Sequence, residues 1–249
     1  LGGAVARELF ARGAEVVALV RERGAVNLFG PGQGGRVHFV QGRPDNIFRL
    51  HSAMAVHEVV TVFHLAAANP FGEDRCTAAV LEAAKLYSRR VPVVVARPAA
   101  GGPEAEVNTG LSVARFGRVF GPGDRKVSRP VPAAALALAS GEPVPLPADG
   151  PATDFVYVRD AARALLSVAE EVAAGCPGEY TFNSGWKLTD REMTDAVRDL
   201  SYGARPSREG AVPNPLGWAP ALTFHAALSE TLEWYQSMAR EGPNVARAA

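Results

Sequence analysis

Clustered basic residues are the first feature of this sequence that could do chemistry. Arg118, Arg125, Lys126 and Arg129 lie close together around a Gly121-Pro122-Gly123 turn. A guanidinium offers a planar fork of N–H donors that matches the oxygens of a phosphate. Arg118, at a strand exit, and Arg125 and Arg129, on the turn that follows, are therefore candidate ligands for a diphosphate. A solvated basic turn is the other meaning of such a cluster. Arg21 stands at the end of an apolar run with Glu22 beside it. At that place in an open α/β sheet an acidic residue holds ribose hydroxyls and an arginine accommodates a 2′-phosphate. The pair leaves that choice open, with solvated charges at a strand end as a further reading. His64 closes part of the run VVTVFHLAAA and reads as a packed strand histidine rather than a catalyst. Cys76 and Cys176 have no metal-ligand spacing, and no metal site is expected.

The elements that would position these residues alternate. Residues 2–11 place Val5, Leu9 and Phe10 on one helical face, with Arg7, Glu8 and Arg12 outward, and Gly13 ends that helix. Residues 15–20 form a nearly continuous apolar run, as a parallel strand covered on both faces requires. Further strands are expected at 37–40, 59–68, 91–96, 111–120 and 179–183, and helices at 77–86, 132–139, 159–174 and 189–200. Thr189 with Glu192 three positions on is a capping box. Asp160 reads as a helix N-cap and Asp154 as a strand-turn anchor. Phe155 and Tyr157 read as packing residues, and Trp186, Trp218 and Trp234 as core. Strand–helix alternation implies a doubly wound parallel α/β sheet. The runs at 16–20, 59–67, 91–96 and 112–116 are expected as adjacent parallel strands of one sheet, with ligands beyond their carboxyl ends.

Composition narrows the class. The 249 residues suit one large domain, or one domain with a lobe. Lysine plus arginine and aspartate plus glutamate number 26 each, so no overall field recruits nucleic acid or an anionic membrane. No apolar run reaches spanning length, and a reducing cytoplasm is the plain reading of two unpatterned cysteines. The first residue is Leu rather than Met, so the chain is expected to begin downstream of its natural start or to be processed.

Three stretches carry a family likeness. GPGDRKVSRPVPAAALALASGEPVPLPADGPATDFVYVRD at 121–160, LGGAVARELFARGAEVVALVRER at the start and LGWAPALTFHAALSETLEWY near the end resemble the extended short-chain dehydrogenase/reductases, the NAD-dependent epimerase/dehydratase family. AVNLF after the second strand and the closing TLEWY look like the CDP-glucose 4,6-dehydratase branch. The resemblance implies a Rossmann-like cofactor domain over 1–118, with 159–182 returning to it, and a small C-terminal substrate lobe from 119–158 and 183–249. It implies NAD, with NADP open, as cofactor, a nucleotide-diphosphate sugar as partner, and a homodimer formed through helix packing. It places Gly2, Arg21, Ala66, Ala67, Arg97 and Phe116 at the cofactor, in one crevice at the strand ends, and Arg118, Arg125 and Arg129 at the substrate.

The sequence also departs from that pattern. The family reaction needs a Tyr and a Lys four residues apart on one helix, and no Tyr-x-x-x-Lys occurs; Tyr87 is followed four places on by Val91. No catalytic residue is assigned. Arg97-Pro98 replaces the family's Ser-Ser or Ser-Thr, Gly42-Arg43 its Gly-Asp, Arg118 its Asn, and Thr153 its phosphate-pairing Arg. Only the end of the glycine fingerprint is present, as Leu1-Gly2. A parallel sheet without its first strand would expose unpaired backbone and an apolar helix face, so the shortfalls read as omitted segments of a longer chain or a gene fragment, with a degenerate or truncated protein as the other explanation. The expected function is that of a nucleotide-sugar epimerase/dehydratase impaired as written. A catalytically inactive binding or scaffold protein and an NADP-linked carbonyl reductase are the other readings.

Overall fold

The computed structural model describes residues 1–20, 37–65, 73–88, 91–100, 110–124, 126–148, 150–201 and 213–240, with the side chains of 73 and 74 left aside. The described chain divides into two compact units, residues 1–115 with 162–181, and residues 116–161 with 182–249.

The first unit opens on helix α1 (Gly2–Ala11). Gly13 takes a left-handed φ of 82° after it, and Gly13 and Ala14 donate back to Phe10 and Leu9, closing the helix end. Strands β1 (Val16–Val20) and β2 (Val37–Gln41) run parallel, Val16 opposite Val37. Ala6 of α1 packs on Val16 and Val37. Strands β3 (Val62–His64), β4 (Val93–Pro98), β5 (Leu111–Phe116) and β8 (Glu179–Phe182) make a second ladder in the order β3-β4-β5-β8, with β3 and β4 parallel. Helices α2 (Ile47–Val56) and α3 (Glu73–Tyr87) bury Leu50, Met54, Val80 and Ala83 against Val93, Val95 and Leu111. Helix α5 (Val158–Ala173) leads the chain back toward β8.

The parallel α/β class expected from the sequence is what the chain adopts. One detail differs: β1 joins β2 in a ladder of its own, rather than lying in one sheet with β3, β4 and β5. Among the described residues no strand lies between the two ladders. Exposure follows this division. Four of the five β1 residues are half-buried, whereas all six of β5 are buried. The expected strand at 59–68 is shorter, Val62–His64, within the described residues. Helix α2 was not expected; Asn46 caps it by accepting from the Arg49 amide at 3.0 Å.

The second unit holds β6 (Arg118–Phe120), β7 (Thr153–Tyr157) and β9 (Lys187–Leu188), with β6 parallel and β9 antiparallel to β7. Helices α4 (Pro130–Ser140), α6 (Asp190–Ser201) and α7 (Phe224–Arg240) pack on one another. The single strand expected at 111–120 is two, broken at Gly117. A Cβ there would stand 2.0 Å from the Asp154 carbonyl oxygen, so only glycine lets the chain change ladders at this point. Phe120 lies at the centre of the core, in ring contact with Phe155, Tyr157, Trp186 and Phe224. Trp186 and Trp218 are buried as expected, but Trp234 is only half-buried. The capping box forms with both bonds, Glu192 N–H to Thr189 Oγ1 at 3.1 Å and Thr189 N–H to Glu192 Oε2 at 2.9 Å.

Local stability should follow the burial pattern. Hydrogen exchange of the 249-residue chain, resolved by mass spectrometry, should show the amides of β1 exchanging faster than those of β4 and β5. Equal protection of the three strands would contradict this.

Candidate functional site

The carboxyl ends of the first unit's strands gather the polar side chains of His64, Arg97 and Arg115. His64 is the last residue of β3 and is 6% exposed. Its Nε2 is buried with no hydrogen-bond partner among the described residues. Burial disfavours the imidazolium, and the nearby Arg97 charge adds to this, so its pKa falls from 6.5 to about 4. His64 is thus neutral at physiological pH. Arg97 lies on β4 and is buried as well. Arg115, on β5, donates to the Pro98 carbonyl at 3.1 Å and to the Glu179 carboxylate on β8.

Helix α1 begins at the same edge. A Cβ on Gly2 would meet Leu65 Cδ1, just past β3, at 4.0 Å, and the helix has no side-chain cap bond at its N-cap, Leu1. The uncapped first turn of a helix presents backbone N–H groups and the positive end of the helix dipole to an anion. Gly2 and Arg97, both expected at one crevice, therefore stand at the ends of adjoining elements around Leu65 and His64. Phe116 ends β5; its ring is 2% exposed and stacks on Phe182 with centroids 5.6 Å apart. Arg21, Ala66, Ala67 and Arg125 lie outside the described residues.

In the second unit, Arg118 and Arg129, two of the three arginines expected at a phosphate, are in ion pairs. Arg118 donates to the Asp190 carboxylate and lies 6.0 Å from the centre of the Phe155 ring. Arg129, at the N-cap of α4, pairs with Asp124 at 3.0 Å. The Asp124 carbonyl accepts from the buried Tyr235 hydroxyl. A phosphate here would share both guanidiniums with carboxylates, so the rim is less positive than the sequence cluster implies.

Asp154 is the anchor it was read as. Its two carboxylate oxygens accept from Ser184 N at 2.8 Å, Ser184 Oγ at 3.1 Å and Gly185 N at 2.9 Å. Asp160 is not an N-cap. It sits inside the first turn of α5, 1% exposed, and its Oδ1 accepts from the Ala221 amide at 3.1 Å. The local sequence offered a cap, but a partner 61 residues away took the carboxylate. One cluster carried no signal in the sequence: the Tyr157 hydroxyl donates to Glu230 at 2.6 Å, and Arg159 pairs with the same carboxylate at 3.1 Å. Burial, then the Glu230 bond, raises the Tyr157 pKa, and burial raises that of Tyr235. Both phenols are held protonated.

Residues 104–185 match the family described as NAD dependent epimerase/dehydratase. Over that stretch the chain is similar to that family. Over 131 residues it is 29% identical to the dTDP-glucose 4,6-dehydratase of Salmonella typhimurium, a stretch covering 42% of this chain and 35% of that protein. Over 145 residues it is 28% identical to dTDP-glucose 4,6-dehydratase 1 of Escherichia coli, covering 48% and 39%. The matched stretch thus spans well under half the length of these relatives. Among solved structures, the dTDP-glucose 4,6-dehydratase of Bacillus anthracis in complex with NAD superposes with a TM-score of 0.79 at 16% identity, over 98% of this chain and 97% of that one. The UDP-glucose 4-epimerase of Thermotoga maritima with UDP-glucose gives 0.73 at 17%, over 96% of each. The fold is therefore that of the Rossmann epimerase/dehydratases. Among the described residues no helix is long and apolar enough to cross a membrane.

Two outcomes test the site's electrostatics. His64 binds fewer protons folded than unfolded between its pKa of about 4 and 6.5, so its contribution is fully present above pH 6.5 and is lost as pH falls toward 4. Denaturant titrations at pH 7.0 and 5.0 should show a loss on the order of 2 kcal/mol that is absent in His64→Gln. A wild-type loss matched by the variant would contradict the neutral histidine. Asp154→Ala should cost on the order of 2–3 kcal/mol in the same assay, because the Ser184 and Gly185 amides lose their acceptor.

Proposed function

We propose that this chain carries the binding framework of an NAD(P)-dependent nucleotide-sugar 4,6-dehydratase, and that the 249 residues bind their ligands without ordinary turnover. The observation that carries the reading is the meeting of the α1 start, Leu65, His64 and Arg97 at the carboxyl ends of β3 and β4. That is where open parallel sheets hold ligands. The exposed backbone at Gly2 and the uncapped first turn of α1 fit the pyrophosphate of a dinucleotide. Neutral His64 offers a hydrogen bond there without adding a charge.

The relatives named as dTDP-glucose 4,6-dehydratases support a nucleoside-diphosphate glucose as the substrate class, and the assay below distinguishes its thymine and cytosine forms. A nicotinamide cofactor, when bound, would take hydride from C4 of the sugar. The chain's own part is to bind, orient and move the hydroxyl proton, and here it falls short. The sequence has no Tyr-x-x-x-Lys. Tyr157 and Tyr235 are held protonated, which suits neither for the base role. This shortfall favours the second reading, a catalytically inactive nucleotide-sugar or dinucleotide-binding protein. We place the protein in the cytoplasm, as a homodimer.

The 249 residues would be incubated with NAD and dTDP-glucose, CDP-glucose and UDP-glucose, with the 4-keto-6-deoxy product read in alkali and binding by calorimetry. Turnover should lie about a hundred- to ten-thousand-fold below that of an ordinary dehydratase run in parallel, the usual cost of a lost proton-transfer group. Binding of at least one nucleotide sugar should be measurable. Full turnover would refute the impairment, and absence of all binding would refute the framework.

A further inference from the structure

Two histidines far apart in sequence meet in the first unit. His38 lies on β2 and is exposed, and His57 is the C-cap of α2 and is half-buried. Their ring centroids stand 4.8 Å apart, with the planes tilted by 36°. Among the described residues neither imidazole has a hydrogen-bond or ion-pair partner, so the ring nitrogens are left to solvent or to a ligand. Both backbones are fixed. His38 is paired in its ladder opposite Val17. The end of α2 closes with two bonds, His57 N–H to the Ala53 carbonyl at 3.2 Å and Val59 N–H to the Met54 carbonyl at 3.0 Å. Glu58, between them, takes a left-handed φ of 49°, at the place in such a helix end that usually goes to glycine.

The spacing of the rings suits a shared ion. A metal held about 2.1 Å from one nitrogen of each ring lies about 3.2 Å from each centroid. Two such ligands about 90–110° apart at the metal then set the centroids about 4.5–5.2 Å apart. The observed 4.8 Å falls within that range. Plain ring stacking also allows the spacing, but it leaves every ring nitrogen without a partner, whereas a metal answers one nitrogen of each ring. The helix end adds to this. The last carbonyls of α2 present the negative end of its dipole, which favours a cation, and the last turn carries no basic residue. Among the described residues no group of three His, Cys, Asp or Glu side chains could hold a metal, so water fills the remaining positions.

We propose that His38 and His57 form a two-histidine site for a divalent first-row transition ion, held between β2 and the end of α2. Imidazole pairs suit copper(II), nickel(II) and zinc(II), with copper(II) the tightest, and do not suit magnesium or calcium, which take oxygen ligands. The site is independent of the strand-end reading above. Its consequence is mechanical. Strand β2 pairs only with β1 among the described strands, and a bound ion ties it to α2 as well. The two histidines come together only in the folded chain, so the ion binds the native state in preference to the unfolded one and stabilises it.

The test uses the full, untagged 249 residues with the chlorides of nickel(II), copper(II) and magnesium. Calorimetry should show nickel binding, copper binding more tightly, and no heat from magnesium. His38→Gln and His57→Gln should each weaken nickel binding by about tenfold or more, since the loss of even an outer partner of a metal ligand commonly costs that much. His225→Gln should bind as wild type does. Nickel should raise the melting temperature of wild type and of His225→Gln, but not of the other two variants, while all four proteins melt alike in a chelator. The paramagnetic resonance spectrum of copper(II) on wild type should carry splitting from two imidazole nitrogens, which decides the matter even where a variant fails to fold. No nickel or copper binding, or binding unchanged in both His38→Gln and His57→Gln, overturns the inference. A loss in only one of them, or a copper spectrum with a single imidazole nitrogen, overturns it in favour of a lone surface histidine.

Discussion

No side chain can occupy position 117 while the Asp154 carbonyl stays where it is. Much of the second unit depends on that close crossing. It brings β6 against β7, with Arg118 opposite Phe155, and so sets Arg118 between that ring and Asp190. The same residue that blocks a side chain at 117 ties the next turn, since the Asp154 carboxylate collects the Ser184 and Gly185 amides. Ser184 Oγ in turn donates to the Phe155 carbonyl at 2.7 Å and accepts from the Trp186 amide at 3.0 Å. A single short strand therefore fixes the turn that leads into β9 and the capped start of α6. Phe120, two residues past the end of the crossing, is held at the centre of the aromatic core by the same register.

Buried polar groups in this chain are settled in three ways. Arg115 is matched by Glu179 and a carbonyl. Asp160 is matched by a distant amide, and the Trp218 indole donates to its carbonyl at 3.1 Å. His64 is settled by giving up its proton. The first two add stability and restrict geometry. The third leaves a neutral ring nitrogen unpaired in a buried place, and such a group costs free energy unless something completes it. Structural use accounts for the Arg115 fork and for the Asp160 oxygen that meets Ala221. It does not account for His64, and this is why the strand ends, rather than the ion pairs of the second unit, are the better place to look for a ligand.

What the sequence disclosed was local. The Thr189–Glu192 box, the Gly13 stop and the parallel class were legible because each rests on residues a few positions apart or on continuous apolar runs. Helix α2 was not: its buried residues are only Leu50 and Met54, while Phe48 is 88% exposed, so its apolar periodicity is blurred. Asp160 was misread because an acid at a helix start satisfies the rule for a cap whether or not a remote amide claims it. The break at Gly117 was invisible because its cause, a carbonyl 37 residues on, is tertiary. Likewise the Arg43–Asp45 pair lies within three residues, but Arg75 joins it only through the packing of α3 on α2.

The same distinction bears on chemistry. A proton-transfer pair on one helix is a local pattern, and its absence from the sequence is firm knowledge about these 249 residues. A substitute base would have to be assembled from distant residues, as the Asp154 clasp is. Two phenols show what such assembly does here: the Tyr157 hydroxyl donates a hydrogen bond to Glu230 and that of Tyr235 to the Asp124 carbonyl. Each partner is an acceptor, which stabilises the neutral phenol and opposes the phenolate that a base requires. An activating environment would place a cation at the phenol oxygen instead. Arg159 comes nearest to that, yet it spends its charge on Glu230 at 3.1 Å. The packing that orders these hydroxyls is thus the physical reason they do not stand in for the missing tyrosine.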